Sequence, residues 1–195
     1  RAGPVEILRD VDLRVGSGEA IGIVGPSGSG KTSLLMLIAG LERATSGSIE
    51  VSGILLDGKS EDALATFRRD NIGIIFQSFH LIPTMTALEN VAVPLEFRGL
   101  PNAMRVAEEK LQRVGLAHRL SHYPGQLSGG EQQRVAIARA LASGATALLA
   151  DGPRGQLDQE TGNPSSNCIS ARKSQDGTTV PLTSVDRRPS RPRRP

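Results

Sequence analysis

Gly25-Pro26-Ser27-Gly28-Ser29-Gly30-Lys31-Thr32 follows an apolar run, Ala20-Ile21-Gly22-Ile23-Val24, and opens a helix-forming stretch from Lys31 to Leu41. Buried strand, glycine-rich loop and helix in that order match G-x-x-x-x-G-K-[ST] in the context the pattern requires. The glycines let the backbone wrap a phosphate and aim its N–H groups inward. Lys31 reaches phosphate oxygens, and the Thr32 hydroxyl is placed to bind Mg2+. A glycine-rich turn with a chance lysine would satisfy the letters alone. The flanking strand and helix favour a phosphate site instead.

The rest of the chain fits an α/β core around that loop. Val11, Leu13 and Val15 alternate with Asp12 and Arg14, which predicts a half-exposed strand before the turn at Ser17-Gly18. Ser48–Val51 and Ile54–Leu56 predict a hairpin around Gly53, Ala63–Arg69 a helix, and Ile72–Phe76 a second buried strand. After Gln77 the period changes. Ala87–Phe97, Asn102–Val114 and Gly130–Ala142 all read as helices, with breaks at Pro101 and Tyr123-Pro124-Gly125. Ala147-Leu148-Leu149-Ala150 returns to a buried strand that ends at Asp151. The expected layout is therefore a core of 1–77 and 139–186, interrupted by a helical insertion at 78–138. No internal repeat is visible.

Composition narrows the alternatives. A chain of 195 residues holds one substantial core with an inserted subdomain. Its hydrophobic fraction of 38% is low for such a core, and the deficit lies beyond Asp158, where Pro, Ser, Arg and Asn dominate. The net charge of +3 owes much to Arg187–Pro195, a segment whose composition predicts a solvated, disordered basic tail rather than a nucleic-acid contact. Cys168 is the single cysteine, so no internal disulfide forms and a reducing compartment fits. The longest apolar run, Leu34–Ala39, falls short of the ~18 residues that span a bilayer. With no signal-peptide pattern either, the expectation is a soluble chain that meets a membrane only through a partner.

A second glycine pair is the rarer signal. In Leu127-Ser128-Gly129-Gly130-Glu131-Gln132-Gln133-Arg134 the N–H groups of Ser128, Gly129 and Gly130 open a helix, ready to receive a phosphate from outside the chain. Asp151, at the end of an apolar strand, is the natural acid for Mg2+.

Together these motifs resemble the ATP-binding cassette (ABC) ATPases. The segment Phe76-Gln77-Ser78-Phe79-His80-Leu81-Ile82-Pro83-Thr84-Met85-Thr86-Ala87-Leu88-Glu89-Asn90-Val91 looks like the lipoprotein-release and macrolide-export branch, and within it the YbbA-type subunits. The likeness runs from about Val5 to Asp158 and then weakens sharply. It implies an α/β fold: a P-loop NTPase (RecA-like) core with a small antiparallel β subdomain and an inserted α-helical subdomain. It also implies a head-to-tail dimer. ATP would lie between Gly25, Pro26, Ser27, Gly28, Ser29, Gly30, Lys31, Thr32 and Ser33 of one chain and Ser128, Gly129, Gly130 and Glu131 of the other. Mg2+ would be held by Thr32, Gln77 (the Q-loop glutamine) and Asp151. The implied partner is an FtsX-like permease docked near the Gln77 loop. That places the chain in the cytoplasm, on the inner face of the plasma membrane, with no direct nucleic-acid contact.

The departures from the family pattern carry as much weight. The glutamate that follows the strand-end acid in ABC ATPases, and polarises the attacking water, is replaced here by Gly152. Gly155-Gln156-Leu157-Asp158 still resembles the D-loop, so the register holds. The switch histidine that should follow a strand at Thr178–Ser184 is Val185. These replacements predict ATP binding and pairing with impaired hydrolysis; a non-hydrolysing regulatory protein is the alternative. His80, His118 and His122 lie in the insertion and read as surface or packing residues. Pro181 sits awkwardly in a strand expected inside a parallel sheet. ABC proteins often stack adenine on an aromatic upstream of the phosphate loop, and the first aromatic here is Phe67. Either the stacking residue precedes Arg1, or an aliphatic such as Val5 covers the base.

Overall fold

The computed structural model describes residues 6–151 and the backbone of 181–184. Strand β1 (Gly22–Ile23) leads through the glycine loop into helix α1 (Lys31–Ile38). A hairpin, β2 (Glu50–Val51) and β3 (Ile54–Leu55), precedes α2 (Glu61–Asn71) and β4 (Ile72–Ile75). Three helices follow: α3 (Ala87–Phe97), α4 (Ala103–Arg113) and α5 (Gly129–Ala142). Strands β5 (Ala147–Ala150) and β6 (Pro181–Ser184) complete a parallel sheet of order β1-β6-β5-β4.

Local chemistry explains most element boundaries. The hairpin turns at Ser52 and Gly53, whose φ values of 53° and 77° are the paired positive angles that suit a two-residue connection. Helix α2 starts at Ser60, whose side chain accepts the Ala63 N–H, and carries Glu61 and Asp62 in its first turn and Arg68 and Arg69 in its last. Those charges complement the helix dipole at both ends. Helix α3 begins with a reciprocal cap between Thr86 and Glu89 and continues through Pro94, which removes one rung of its ladder. The Thr86 N–H and hydroxyl hold the Glu89 carboxyl below its usual range.

Two cores result. The helical insertion packs Val91, Leu95, Leu111, Val114 and Leu116 with Val135 and Ala138 of α5, all at most 1% exposed. Truncating Leu95 or Leu111 to Ala would cost about 2–5 kcal/mol. The other core puts Leu35 and Ala39 of α1 against Leu56, Leu64, Phe67, Ile72 and Leu149. Helix α5 also contributes to a third cluster, in which its Ile137 and Ala140 pack on Ile75 and Leu148 of the sheet. Gly73 permits that approach: a Cβ there would lie 2.5 Å from the Ala140 carbonyl oxygen.

Three sequence expectations need correction or refinement. Val11–Val15 forms no strand; Val11 and Leu13 stay 49% and 46% exposed, and no described segment pairs with them. A strand needs a partner ladder, and alternation alone does not supply one. The buried strand expected at Ala20–Val24 shrinks to Gly22–Ile23 and is half-exposed, because β1 lies at the sheet edge with β6 as its only neighbour among the described residues. Pro181 is accommodated inside the sheet because it is the first residue of β6, opposite Leu148.

Candidate functional site

Every strand of the sheet runs the same way, so the loops after β1, β4 and β5 emerge at one edge. This is the edge where open parallel sheets bind ligands. The glycine loop follows β1, Gln77 follows β4, and Asp151 follows β5. The Asp151 N–H donates to the Ile75 carbonyl at 2.9 Å, which fixes the end of β5 against the end of β4.

The glycine loop is closed by the Ser29 N–H donating to Pro26 O at 3.2 Å. Gly30 is the helix cap with φ 82°, and a Cβ there would meet Leu8 Cδ2 at 2.7 Å and Ile7 O at 3.1 Å. Only glycine fits both that angle and that approach. Ile7 and Leu8 are therefore the aliphatics laid against the loop; Val5 lies outside the described residues. Lys31 bridges the loop, its Nζ donating to Gly25 O at 2.8 Å and Pro26 O at 2.7 Å, with Ser29 Oγ at 3.4 Å. Its three donors are thus committed to groups that a phosphate would replace. The cleft beside it, about 280 Å³, is lined by loop backbone together with Leu8, Ile23, Val24 and Leu34. Pro26, Ser27, Gly28 and Ser29 are exposed, and Ser33 is half-buried in the first turn of α1.

Thr32 Oγ1 lies 3.1 Å from both carboxylate oxygens of Asp151. A hydroxyl and a carboxylate converging beside a phosphate loop form a hard oxygen donor set, which suits Mg2+. Gln77 is exposed and stands in a turn closed by the Phe79 N–H donating to Phe76 O at 3.0 Å.

The second glycine pair sits elsewhere on the molecule. Ser128 caps α5 reciprocally with Glu131: the Glu131 N–H donates to Ser128 Oγ at 3.3 Å, and the Ser128 N–H donates to Glu131 Oε2 at 2.8 Å. Arg119 Nε donates to Glu131 Oε1 at 2.9 Å. These bonds, from the Ser128 backbone above all, pull the Glu131 carboxyl down to about 2. Gln132 Nε2 donates to Pro124 O and Leu127 O at 3.0 and 3.1 Å, holding the preceding turn. The Ser128 N–H is therefore engaged. The Gly129 and Gly130 N–H groups are the orphan donors of the helix start, with no protein partner among the described residues. No hydrogen bond or ion pair among the described residues joins this motif to the glycine loop.

Of the three histidines, His118 is exposed and His80 stacks edge-on to Phe76 at 4.9 Å. His122 accepts from Arg119 Nη1 at 3.0 Å through Nε2, which leaves its proton on a buried Nδ1 with no partner. Gly152, Val185, the D-loop-like segment, Cys168 and the basic tail lie outside the described residues.

Sequence reasoning missed three polar or close-packing residues near the site. Gly73 was readable as a strand glycine, which signals close backbone approach. Asn90 is fully buried on α3; its Oδ1 accepts the Ile82 N–H at 2.7 Å while its Nδ2 reaches Ile82 O, Met85 O and Thr86 O. Arg139, within an alanine-rich helix, donates to Phe79 O and His80 O, both at 2.7 Å. An Asn on an apolar face and an Arg inside an apolar run were the available signals.

A glycine loop closing a helix start at the edge of a parallel sheet, with a hydroxyl and an acid beside it, defines a P-loop nucleotide-binding protein. Comparison with known proteins narrows that class. The family model described as ABC transporter matches residues 8–155, so the chain belongs to the ABC transporter family. The lipoprotein-releasing system ATP-binding protein LolD of Geobacter metallireducens is 51% identical over 159 residues, covering 80% of this chain and 71% of that protein. The macrolide export ATP-binding/permease protein MacB of Shigella flexneri is 48% identical over 160 residues, 81% of this chain and 25% of MacB. The chain thus spans about a quarter of MacB's length. A dimeric structure of a post-hydrolysis state of the ATP-binding cassette MJ0796, bound to ADP and Pi, superposes with a TM-score of 0.85 at 42% identity, covering 92% of this chain and 80% of that one. A second dimeric MJ0796 structure gives 0.84 at 41% identity, with the same coverage. The fold is an ABC cassette, and the LolD and MacB branch expected from the sequence is supported.

Proposed function

We propose that this chain is the ATP-binding subunit of an ABC transporter, that two such subunits close head to tail on ATP, and that closure moves an FtsX-like permease at the inner face of the plasma membrane. One observation carries the reading. The glycine loop and the Ser128–Gly130 helix start each present unused or exchangeable donors, yet no bond among the described residues joins them. Two half-sites of this kind are completed by a second copy. The dimeric MJ0796 cassettes support that pairing, and no helix among the described residues is long and apolar enough to cross a membrane.

On this reading Lys31 exchanges the Gly25 and Pro26 carbonyls for β- and γ-phosphate oxygens. Thr32 and Asp151 hold Mg2+, with Gln77 reaching the same site from the loop after β4. A Mg2+ ion held by these residues would supply positive charge to offset that of the phosphate oxygens. Gly129 and Gly130 N–H groups and the Ser128 hydroxyl receive the partner-bound γ-phosphate. Glu131 belongs to the same half-site and shapes its turn, its two oxygens accepting from Arg119 Nε and the Ser128 N–H. The core of 1–77 and 139–186 binds nucleotide, and the insertion at 78–138 faces the permease.

Hydrolysis is the weak step in this proposal. The family resemblance puts the water-polarising glutamate directly after Asp151, where this sequence has Gly152. Val185, which the family resemblance puts at the position of the switch histidine, follows β6, whose Ser184 pairs with Ile23. Loss of a positioned general base costs about 10²–10⁴ in rate. Gly152 also motivates a second reading, a non-hydrolysing regulatory ABC protein. ATP turnover of the unmodified chain and of a Gly152→Glu/Val185→His variant tests the proposal. The variant is expected to be at least about 100-fold faster; equal rates would sink the claim of impaired hydrolysis.

A further inference from the structure

Phe79 and His80, two and three residues after Gln77, have φ values of 59° and 46°. Neither is glycine, and two successive left-handed residues of this bulk persist only where the surroundings impose them. The turn has its own bonds, Phe79 N–H to Phe76 O at 3.0 Å and His80 N–H to Ser78 O at 2.6 Å. What reaches it from outside is Arg139. The two terminal nitrogens of one guanidinium donate to the carbonyls of the two left-handed residues, both at 2.7 Å, across 59 and 60 positions of sequence. A planar fork matches two adjacent carbonyls in a way that a point charge does not.

Arg139 lies on α5, the helix that begins at Gly129 after the Ser128 cap. Ten residues of helix place it about 15 Å from that start. Around it α5 is seated on the sheet by Ile137 and Ala140, and Gly73 lets the Ala140 carbonyl close in. One rigid element therefore carries the γ-phosphate receptor at its tip and a grip on the Gln77 turn near its base. Burial lowers the pKa of the Arg139 guanidinium from its ordinary value, a desolvation cost met here by two carbonyls rather than by a carboxylate.

We infer that Arg139 is a positioning residue, which holds the Gln77 turn in its left-handed form and ties the place of Gln77 at the Mg2+ site to the place of helix α5. This inference rests on the reading of Gln77 and Ser128–Gly130 given above. It predicts that loosening the fork disturbs the Mg2+ requirement while the glycine loop keeps its grip on phosphate.

The test compares the full chain with Arg139→Gln, Arg139→Lys, Gln77→Ala and the Arg139→Gln/Gln77→Ala double variant. ATP affinity without Mg2+ should stay within about threefold in all of them, because Lys31 and the loop are untouched. The Mg2+ concentration that half-saturates tight ATP binding should rise at least fivefold in Arg139→Gln and in Gln77→Ala, with no further rise in the double variant. Arg139→Lys, which keeps charge without the fork, should fall between. Backbone amides of Phe79 and His80 should exchange with solvent at least tenfold faster in Arg139→Gln. If Arg139→Gln only lowers the melting temperature, with the Mg2+ midpoint of the unmodified chain, the inference is overturned and Arg139 is structural. If Gln77→Ala itself leaves the midpoint unchanged, the reading of Gln77 fails instead. The exchange rates then decide, and unchanged protection at Phe79 and His80 overturns the Arg139 assignment.

Discussion

Thr32 and Asp151, 119 positions apart in sequence, meet with the threonine hydroxyl 3.1 Å from each carboxylate oxygen. Neither residue moves independently of the sheet. Thr32 is in the first turn of α1, and Asp151 is tied through its N–H to the end of β4. The contact joins the glycine loop near one end of the described chain to the strand that closes it.

Replacing Asp151 with Asn keeps the shape and removes the charge. ATP affinity without Mg2+ should change by less than about threefold, whereas the gain on adding Mg2+ should fall at least tenfold, as expected when a hard cation loses a carboxylate ligand. Titration with a fluorescent ATP analogue, with and without Mg2+, checks both halves. A full Mg2+ effect in the variant would remove Asp151 from the metal site.

Gly73→Ala should be disproportionately costly for so small a change. The added methyl would stand 2.5 Å from the Ala140 carbonyl oxygen, so α5 or β4 must shift. Overpacking of this kind destabilises by about 1–3 kcal/mol. Chemical denaturation measures it, and a loss below about 0.5 kcal/mol would show that α5 does not seat as described.

Glu131 makes stability depend on acid in one direction. Its folded pKa, about 2, is below the ordinary 4.5 chiefly because the Ser128 N–H donates to it. A depressed carboxylate pKa stabilises the folded state above the unfolded pKa, and that contribution fades as pH falls from about 4.5 toward 2. Melting temperatures of the native chain and Glu131→Gln should therefore differ most near pH 7, and the gap should shrink as pH falls from about 4.5 toward 2. A gap independent of pH would mean that the charge of Glu131 is not what holds the cap.

The sequence was most readable where a residue's job is local. Gly30, Lys31 and Thr32 carry their own context, and the breaks read at Pro101 and Tyr123-Pro124-Gly125 do fall between α3 and α4 and between α4 and α5. Strands were less legible. Val11–Val15 has the right alternation, but a strand exists only when another chain segment arrives beside it, and nothing within five residues encodes that arrival. The same limit hid the Arg139 fork, which depends on β4, its following turn and α5 meeting across some 60 positions of sequence. Pro181 illustrates the converse: a residue that looks wrong inside a sheet is harmless at the first position of its strand.

Sedimentation of the full chain with no nucleotide, with Mg-ADP and with Mg-ATP tests ATP-driven pairing most directly. The chain should be a monomer in the first two conditions and a dimer in the third. Lys31→Ala should stay monomeric throughout, because its ATP affinity falls at least about 100-fold when charge-assisted bonds to phosphate are lost. The dimer of the unmodified chain should also outlast that of Gly152→Glu by about 100-fold or more. A chain whose mass ignores ATP, or a Lys31→Ala variant that pairs as well as the parent, would contradict ATP-driven pairing.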